Sequence, residues 1–226
     1  VLFQSLIGFP ISIAFEKSIL ISDILFYDSV EQINKMIGHI DYDSYEPIKI
    51  FNENNPYLLA QQLLNLFTIE FLNNIETDVE LYCLAQNSYW ESRGESFTDK
   101  LAVANVVMNR MLDSRYPKTI CGIVKESKHG YGGQIIPGTC QFSWYCTGLN
   151  KIKLRITHAN KNDPEVSSWI QSILAAIIAR SHLMYDNSFG ATHFYAHNNV
   201  IPTWSSRSNI TVKFENHTFI KIPYQN

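Results

Sequence analysis

The sequence predicts an α+β fold that is mainly helical, with a small β-hairpin or sheet near the C-terminus. Three observations carry that prediction. Apolar residues recur at helical spacing in the segments that begin near Thr77, Asp99 and Asp163. Residues 114–150 hold Pro117, Gly122, Gly130, Gly132, Gly133, Pro137, Gly138 and Gly148, the composition of irregular chain. After Gly190 the pattern changes to the alternation of strands.

In chain order, Ile11-Ser12-Ile13-Ala14-Phe15 alternates like a strand, and Val30, Ile33 and Ile37 share helical spacing. Asp41 to Pro56 is rich in Asn, Asp, Glu and Pro and reads as a loop or linker. Residues 57–74 read as one helix, carrying Leu59, Leu63, Leu66 and Ile69. A capping box, Thr77-Asp78-Val79-Glu80, opens the next helix, expected to run to Arg93, where Gly94 can end it. A helix over Asp99 to Asp113 is apolar nearly all round, through Leu101, Val103, Ala104, Val106, Val107, Met108 and Met111, and so should be central and buried. Asp163-Pro164 opens a third, with Val166, Ile170, Ile173, Ile177 and Met184 on its inner face. Ala191–His197 and a hairpin of 210–214 with 218–222 are the expected strands. The chain divides near residue 75. Residues 1–75 form an extension of unassigned role, a docking element being one use for it, and 76–226 form the main domain. Val1-Leu2-Phe3-Gln4 resembles the remnant of a cleaved tag.

The 226 residues are 46% hydrophobic, 13% aromatic and 17% charged, which is ordinary for a globular protein. The net charge is -3 and no run of lysine or arginine occurs, so a phosphate-tracking nucleic-acid protein is not expected. A neutral polymer such as a glycan is compatible. No apolar stretch is long enough to span a bilayer, and no basic region followed by an apolar core marks a signal peptide. The cysteines are Cys83, Cys121, Cys140 and Cys146. None forms the close pairs typical of zinc sites, so no metal or other cofactor is expected. A disulfide among Cys121, Cys140 and Cys146 is one expectation, and Cys83 reads as a buried helix residue.

Glu91 is the first chemical candidate. Leu81, Leu84, Ser88 and Glu91 stand at i, i+3, i+7 and i+10 and share one helix face. The carboxyl therefore continues an apolar stripe, where its pKa should rise toward that of a general acid. From spacing alone the preferred reading is a helix-end glutamate that swings into water or pairs with Arg93 or Arg110. Glu95 is either a second carboxylate for glycoside cleavage or a hydrogen-bonding partner that fixes the loop, and the second reading is preferred. Gln141-Phe142-Ser143-Trp144-Tyr145 sets amide, hydroxyl and indole groups in a glycine-flanked loop. These suit sugar binding, or Trp144 pins the loop to the core. His193 and Tyr195 share one face of the predicted strand and form a polar stripe with His197. The glycosylation sequons at Asn209 and Asn216 read as accidental.

Tyr89-Trp90-Glu91-Ser92-Arg93-Gly94-Glu95-Ser96 resembles the W-E-A-R-G-E segment of SleB-type cell-wall hydrolases, which include spore-cortex-lytic enzymes. The resemblance continues through Ala102–Arg110, Tyr116-Pro117, Ile120–Val124, Cys140–Cys146 and Gly190–Ala196, with Pro202 and Trp204 behind. It covers roughly residues 77–205, with Ser92 where alanine is usual. It implies a helical domain similar to lysozyme and lytic transglycosylases, acting on peptidoglycan glycan strands between N-acetylmuramic acid and N-acetylglucosamine in the bacterial envelope. It matches the family's catalytic glutamate to Glu91. Gln141, Phe142, Ser143, Trp144, His193 and Tyr195, with Glu95, become the expected substrate contacts. Lytic transglycosylation is the expected reaction. A muramidase-type hydrolase, an amidase and a non-catalytic wall-binding module are the alternatives. The Asn-, Ile- and Tyr-rich composition suits a bacteriophage lysin or virion-associated enzyme, or a low-GC bacterium.

Overall fold

The computed structural model describes residues 55–148, 152–198, 201–205 and 209–223. The strand expected at 11–15 and the helical spacing of Val30 to Ile37 lie outside them.

The segment expected as one helix over 57–74 is two. Helix α1, Pro56–Leu66, starts where the Asn55 side chain accepts from the amides of Tyr57 and Leu58, with proline in the first turn. It ends at Phe67, and Thr68 opens α2, Ile69–Asn73, by accepting from the Phe71 amide. A threonine hydroxyl that bonds the backbone locally competes with helix continuation, and this is the break that periodicity hides. Leu59, Leu63, Phe67 and Leu72 are buried, so residues before the expected boundary at 75 contribute to the core of this domain.

Helix α3 spans Val79–Glu91. Its cap is Asp78, which accepts from the Leu81 amide, one residue after the cap predicted. Thr77 turns back to the Asn74 carbonyl instead. The Glu80 carboxylate accepts from the amides of Ile120 (2.6 Å) and Cys121 (3.3 Å), and so caps a different helix, α5, Ile120–Val124. Cys83 lies three residues on, on the same face, and forms a disulfide with Cys121. This corrects the reading of Cys83 as a plain buried residue, although it is buried. The second disulfide joins Cys140 to Cys146, as expected within the last three cysteines.

Helix α4, Phe97–Leu112, is capped by Ser96 and buried along most of its length, as its composition requires. A short helix α6, Ser143–Cys146, follows the irregular stretch. Helix α7, Pro164–Arg180, is capped by Asp163 as predicted, but it stops short of Met184. Ser181 closes it and His182 turns left-handed, at φ 51°. Trp169 of α7 sets its edge against Tyr82 and Tyr89 of α3.

Three short strands form one antiparallel sheet in the order β1-β3-β2: β1, His193–Ala196; β2, Ile210–Lys213; β3, His217–Ile220. Central β3 pairs His193 with Ile220 on one side and Lys213 with Thr218 on the other. Ala102, Val103 and Val106 of α4 pack on Ala191 and Phe219, which seats the sheet on the central helix. Polar residues of α4 fix the chain entering β1. The Asn109 amide donates to Asp186, Ser188 and the Ala191 carbonyl, and Asn105 donates to Asn187. Gly190, at φ 77°, makes the turn between them. No helix among the described residues is long and apolar enough to cross a membrane.

Candidate active site

Glu91 is the last residue of α3, at the end of a stripe whose earlier members, Leu81, Leu84 and Ser88, are buried. The helix ends there, two residues before the expected Arg93, and neighbours bind the carbonyls of the two residues that follow it. Buried Lys100 donates through Nζ to the carbonyl oxygens of Ser92 and Arg93, and Ser168 donates to that of Arg93. Ser92 Oγ donates back to the Ser88 carbonyl at 2.6 Å, and Ser88 Oγ to the Lys100 carbonyl at 3.0 Å. These bonds fix where the Glu91 side chain leaves the helix. Burial lowers the Lys100 pKa to about 8 against the opposing charges of Glu95 and Asp99.

Burial also pushes the Glu91 carboxyl up, to about 7, while the charges of His217 and Arg110 pull it the other way. Among the described residues no hydrogen bond or ion pair holds that carboxyl. Neither arginine that could have neutralised it does so. Arg93 turns outward to Glu165, which also accepts from the Tyr89 hydroxyl at 2.6 Å. Arg110 is buried, donates through Nε to the Thr192 carbonyl at 2.6 Å, and lies over the rings of Tyr116 and Phe142, each 5.2 Å away.

The remaining predicted residues divide. Gln141 and Ser143 are exposed on the loop closed by Cys140–Cys146. Phe142 and Trp144 are not sugar platforms, a correction to the expected contact set. Both are buried, Phe142 beneath Arg110, and Trp144 with its indole N–H donated to Asn87 Oδ1 at 3.1 Å. That bond fixes the loop to α3 one turn before Glu91. Glu95 accepts from the Asn216 amide at 2.6 Å, the loop-fixing role preferred from sequence. The same bond occupies the nitrogen that a sequon at Asn216 would need free.

His193 and Tyr195 share a face of β1 and are half-buried. Burial, then the charges of Arg110 and Arg115, lower the His193 pKa to about 4, so it is neutral at pH 7. His197 sits just past the strand, its Nδ1 3.4 Å from Thr218 Oγ1. The exposed ring of Trp204 stands 5.4 Å from His193 and 6.0 Å from Tyr195. It gives this wall an aromatic surface that no spacing rule tied to β1.

A family model described as cell wall hydrolase matches residues 94–220, more than half of the chain. The chain belongs to the cell wall hydrolase family. The matched span holds the Gln141–Ser143 loop, His193, Tyr195, Trp204 and His217, and Glu91 stands just upstream of it. A spore cortex-lytic enzyme of Bacillus cereus is 36% identical over 53 residues, which are 24% of this chain and 20% of that protein. The chain thus spans about a fifth of that curated relative. The crystal structure of the catalytic domain of the Bacillus cereus SleB protein aligns at a TM-score of 0.43 and 20% identity, over 63% of this chain and 89% of that one. The catalytic domain of the germination-specific lytic transglycosylase SleB from Bacillus anthracis aligns at 0.43 and 22%, over 63% and 93%.

Sequence reasoning missed a pair within this cell wall hydrolase domain. His217 Nδ1 lies 2.9 Å from Asp99 Oδ1, and both residues are buried. From sequence Asp99 is only the expected start of a helix, and His217 falls between the two expected strands of the hairpin. The available signal was a histidine beside Phe219 in a strand buried on both faces. Among the described residues no group of His, Cys, Asp and Glu is placed to hold a metal ion. Cavities of about 770 Å³ beside Asn73 and Arg155, and about 530 Å³ between Tyr57 and Leu174, are not lined by Glu91.

Proposed function

We propose that this domain cuts the glycan strands of bacterial peptidoglycan between N-acetylmuramic acid and N-acetylglucosamine, with Glu91 as general acid and then general base. The carrying observation is a carboxyl at the end of a buried helix stripe, with its pKa raised to about 7 and no ionic partner among the described residues. Protonated Glu91 donates to the glycosidic oxygen, the C1–O bond breaks, and an oxocarbenium-like centre develops on the muramic acid. The resulting carboxylate then takes the proton of that sugar's C6 hydroxyl as its oxygen bonds to C1. A 1,6-anhydro end forms and Glu91 is returned to its starting state.

This route requires one carboxylate. It is favoured over water-dependent hydrolysis because Glu95, the nearby candidate for a second, is held by Asn216. Gln141, Ser143, His193 and Tyr195 are assigned to sugar and N-acetyl groups, and Trp204 adds a ring beside them. Glu91→Gln should lower the release of soluble fragments from purified sacculi by about 10²-fold or more. Digestion at the wild-type rate would remove Glu91 from the mechanism. Mass spectrometry of the wild-type products distinguishes anhydro ends from the reducing ends of a hydrolase. Lactyl-muramoyl groups freed from intact glycan would mark an amidase.

A further inference from the structure

We propose that the Asp99–His217 pair is an electrostatic positioning device for Glu91, holding a fixed positive charge beside the acid and setting the alkaline limit of its activity. The inference rests on the reading of Glu91 as the acid.

Asp99 lies in the first turn of α4, wholly buried, with Oδ1 2.9 Å from His217 Nδ1. Its Oδ2 has no partner among the described residues. A buried carboxylate is strongly unfavourable unless a cation or several donors compensate it, and a charged imidazole facing Oδ1 is such a cation. His217 is held in place by the edge of the Phe194 ring, 5.4 Å away, and by Phe219 at 6.2 Å. The preceding residue, Asn216, donates to Glu95. Two consecutive residues at the entry to β3 therefore grip two acids that follow Glu91 along the chain. This ties the hairpin to the loop after α3 and to the first turn of α4, from more than a hundred positions away.

The charged groups around His217 are Glu91 from the end of α3, Glu95 from the loop and Asp99 from α4. The sheet residues that pack on it, Phe194 and Phe219, carry no charge. Arg110 faces Glu91, and Lys100 faces Glu95 and Asp99. Burial opposes a charge on His217, but the Asp99 hydrogen bond and the three carboxylates outweigh it and hold its pKa above the ordinary value. Burial alone would keep the proton on Glu91 through neutral pH and impede its release to the leaving group. A cation nearby, without direct ion pairing, offsets that effect and stabilises the carboxylate formed on donation.

The test uses the full chain and follows kcat/KM for soluble peptidoglycan glycan strands against pH in wild type, His217→Gln, Asp99→Asn and the double variant. Circular dichroism melts establish that each is folded. Loss of the cation should raise the Glu91 pKa and move the alkaline limb upward by about one pH unit. The double variant should move it no further than His217→Gln, because both lose the imidazolium and the single variant also leaves the Asp99 carboxylate behind. Folded variants that lose activity equally at every pH, with the limb unmoved, would overturn the proposal. An independent reading needs no variant. Nitrogen-15 NMR of the wild-type His217 ring should show it keeping its proton to higher pH than an ordinary imidazole, and a ring already neutral at pH 6 would overturn the proposal. If Glu91→Gln keeps full activity, the acid assignment fails. If that variant is inactive and the limb stays fixed in the others, only the role of the pair fails.

Discussion

Replacing the proposed acid should inactivate the domain and stabilise it, and the stabilisation should depend on pH. The folded-state pKa of Glu91 is about 7, above an ordinary value of 4.5, so between those values the folded protein binds more protons than the unfolded chain. Stability contributed at this site therefore falls as pH rises from about 4.5 and levels off above 7. The difference corresponds to about 3 kcal/mol of penalty for the ionised group at pH 8. Glu91→Gln keeps the shape and removes the charge. The assay is urea unfolding of wild type and variant at pH 5 and pH 8, with equal slopes as the check on two-state behaviour. At pH 5 the two should differ little. At pH 8 the variant should be more stable by about 2–3 kcal/mol. A stability difference that is the same at both pH values would refute the claim that the folded environment raises the proton affinity of Glu91.

The Cys83–Cys121 disulfide closes a sequence separation of 38, which in the loop-entropy account is worth about 4 kcal/mol; Cys83→Ala with Cys121→Ala should show a loss of that order in denaturant midpoints. Trp144→Phe leaves Asn87 Oδ1 without its indole donor and should destabilise the domain by about 1–3 kcal/mol, and an unchanged Tm would contradict the pinned loop. Trp204→Ala should weaken glycan binding, seen as a raised KM with little change in Tm, because its ring is largely exposed beside His193 and Tyr195. His193 has a folded pKa of about 4, below its ordinary 6.5, so the unfolded chain binds the extra proton and stability at this site is lost as pH falls from 6.5 toward 4. His193→Gln should flatten that acid-side loss in thermal melts.

The helices were legible because their signals are local. Asp163 and Pro164 cap and open α7 within two residues, and α4 announces its burial by being apolar nearly all round. What was illegible depended on partners distant in sequence. Glu80 has the form of a capping-box glutamate, yet it serves α5, because the Cys83–Cys121 bridge brings that helix within its reach. Met184 continues the apolar period of α7, but the helix ends at Arg180. In the candidate site, Glu91 was singled out by its stripe and its resemblance. The burial of Phe142 and Trp144 was not decidable because an aromatic loop residue looks the same in sequence whether its ring faces solvent or, as here, Arg110 and Asn87. The Asp99–His217 pair spans two elements that share no motif, and only the sheet's seating on α4 joins them.

The placement of the cations is what the proposed double role of Glu91, as donor and then acceptor, would require. A direct salt bridge would hold the carboxylate ionised and remove the acid, whereas burial with no nearby charge would hold the proton and remove the base. Here Arg93 is diverted to Glu165, Arg110 is held by Thr192 and two rings, and His217 is held by Asp99. Each potential partner has been given another attachment, so none bonds to Glu91, and only Arg110 and His217 act on it through their fields. Burial then raises the proton affinity, the two remaining cations lower it, and the balance falls at about 7. A group at that point is about half protonated in neutral solution, so a single carboxyl can give a proton to one oxygen and take one from the next.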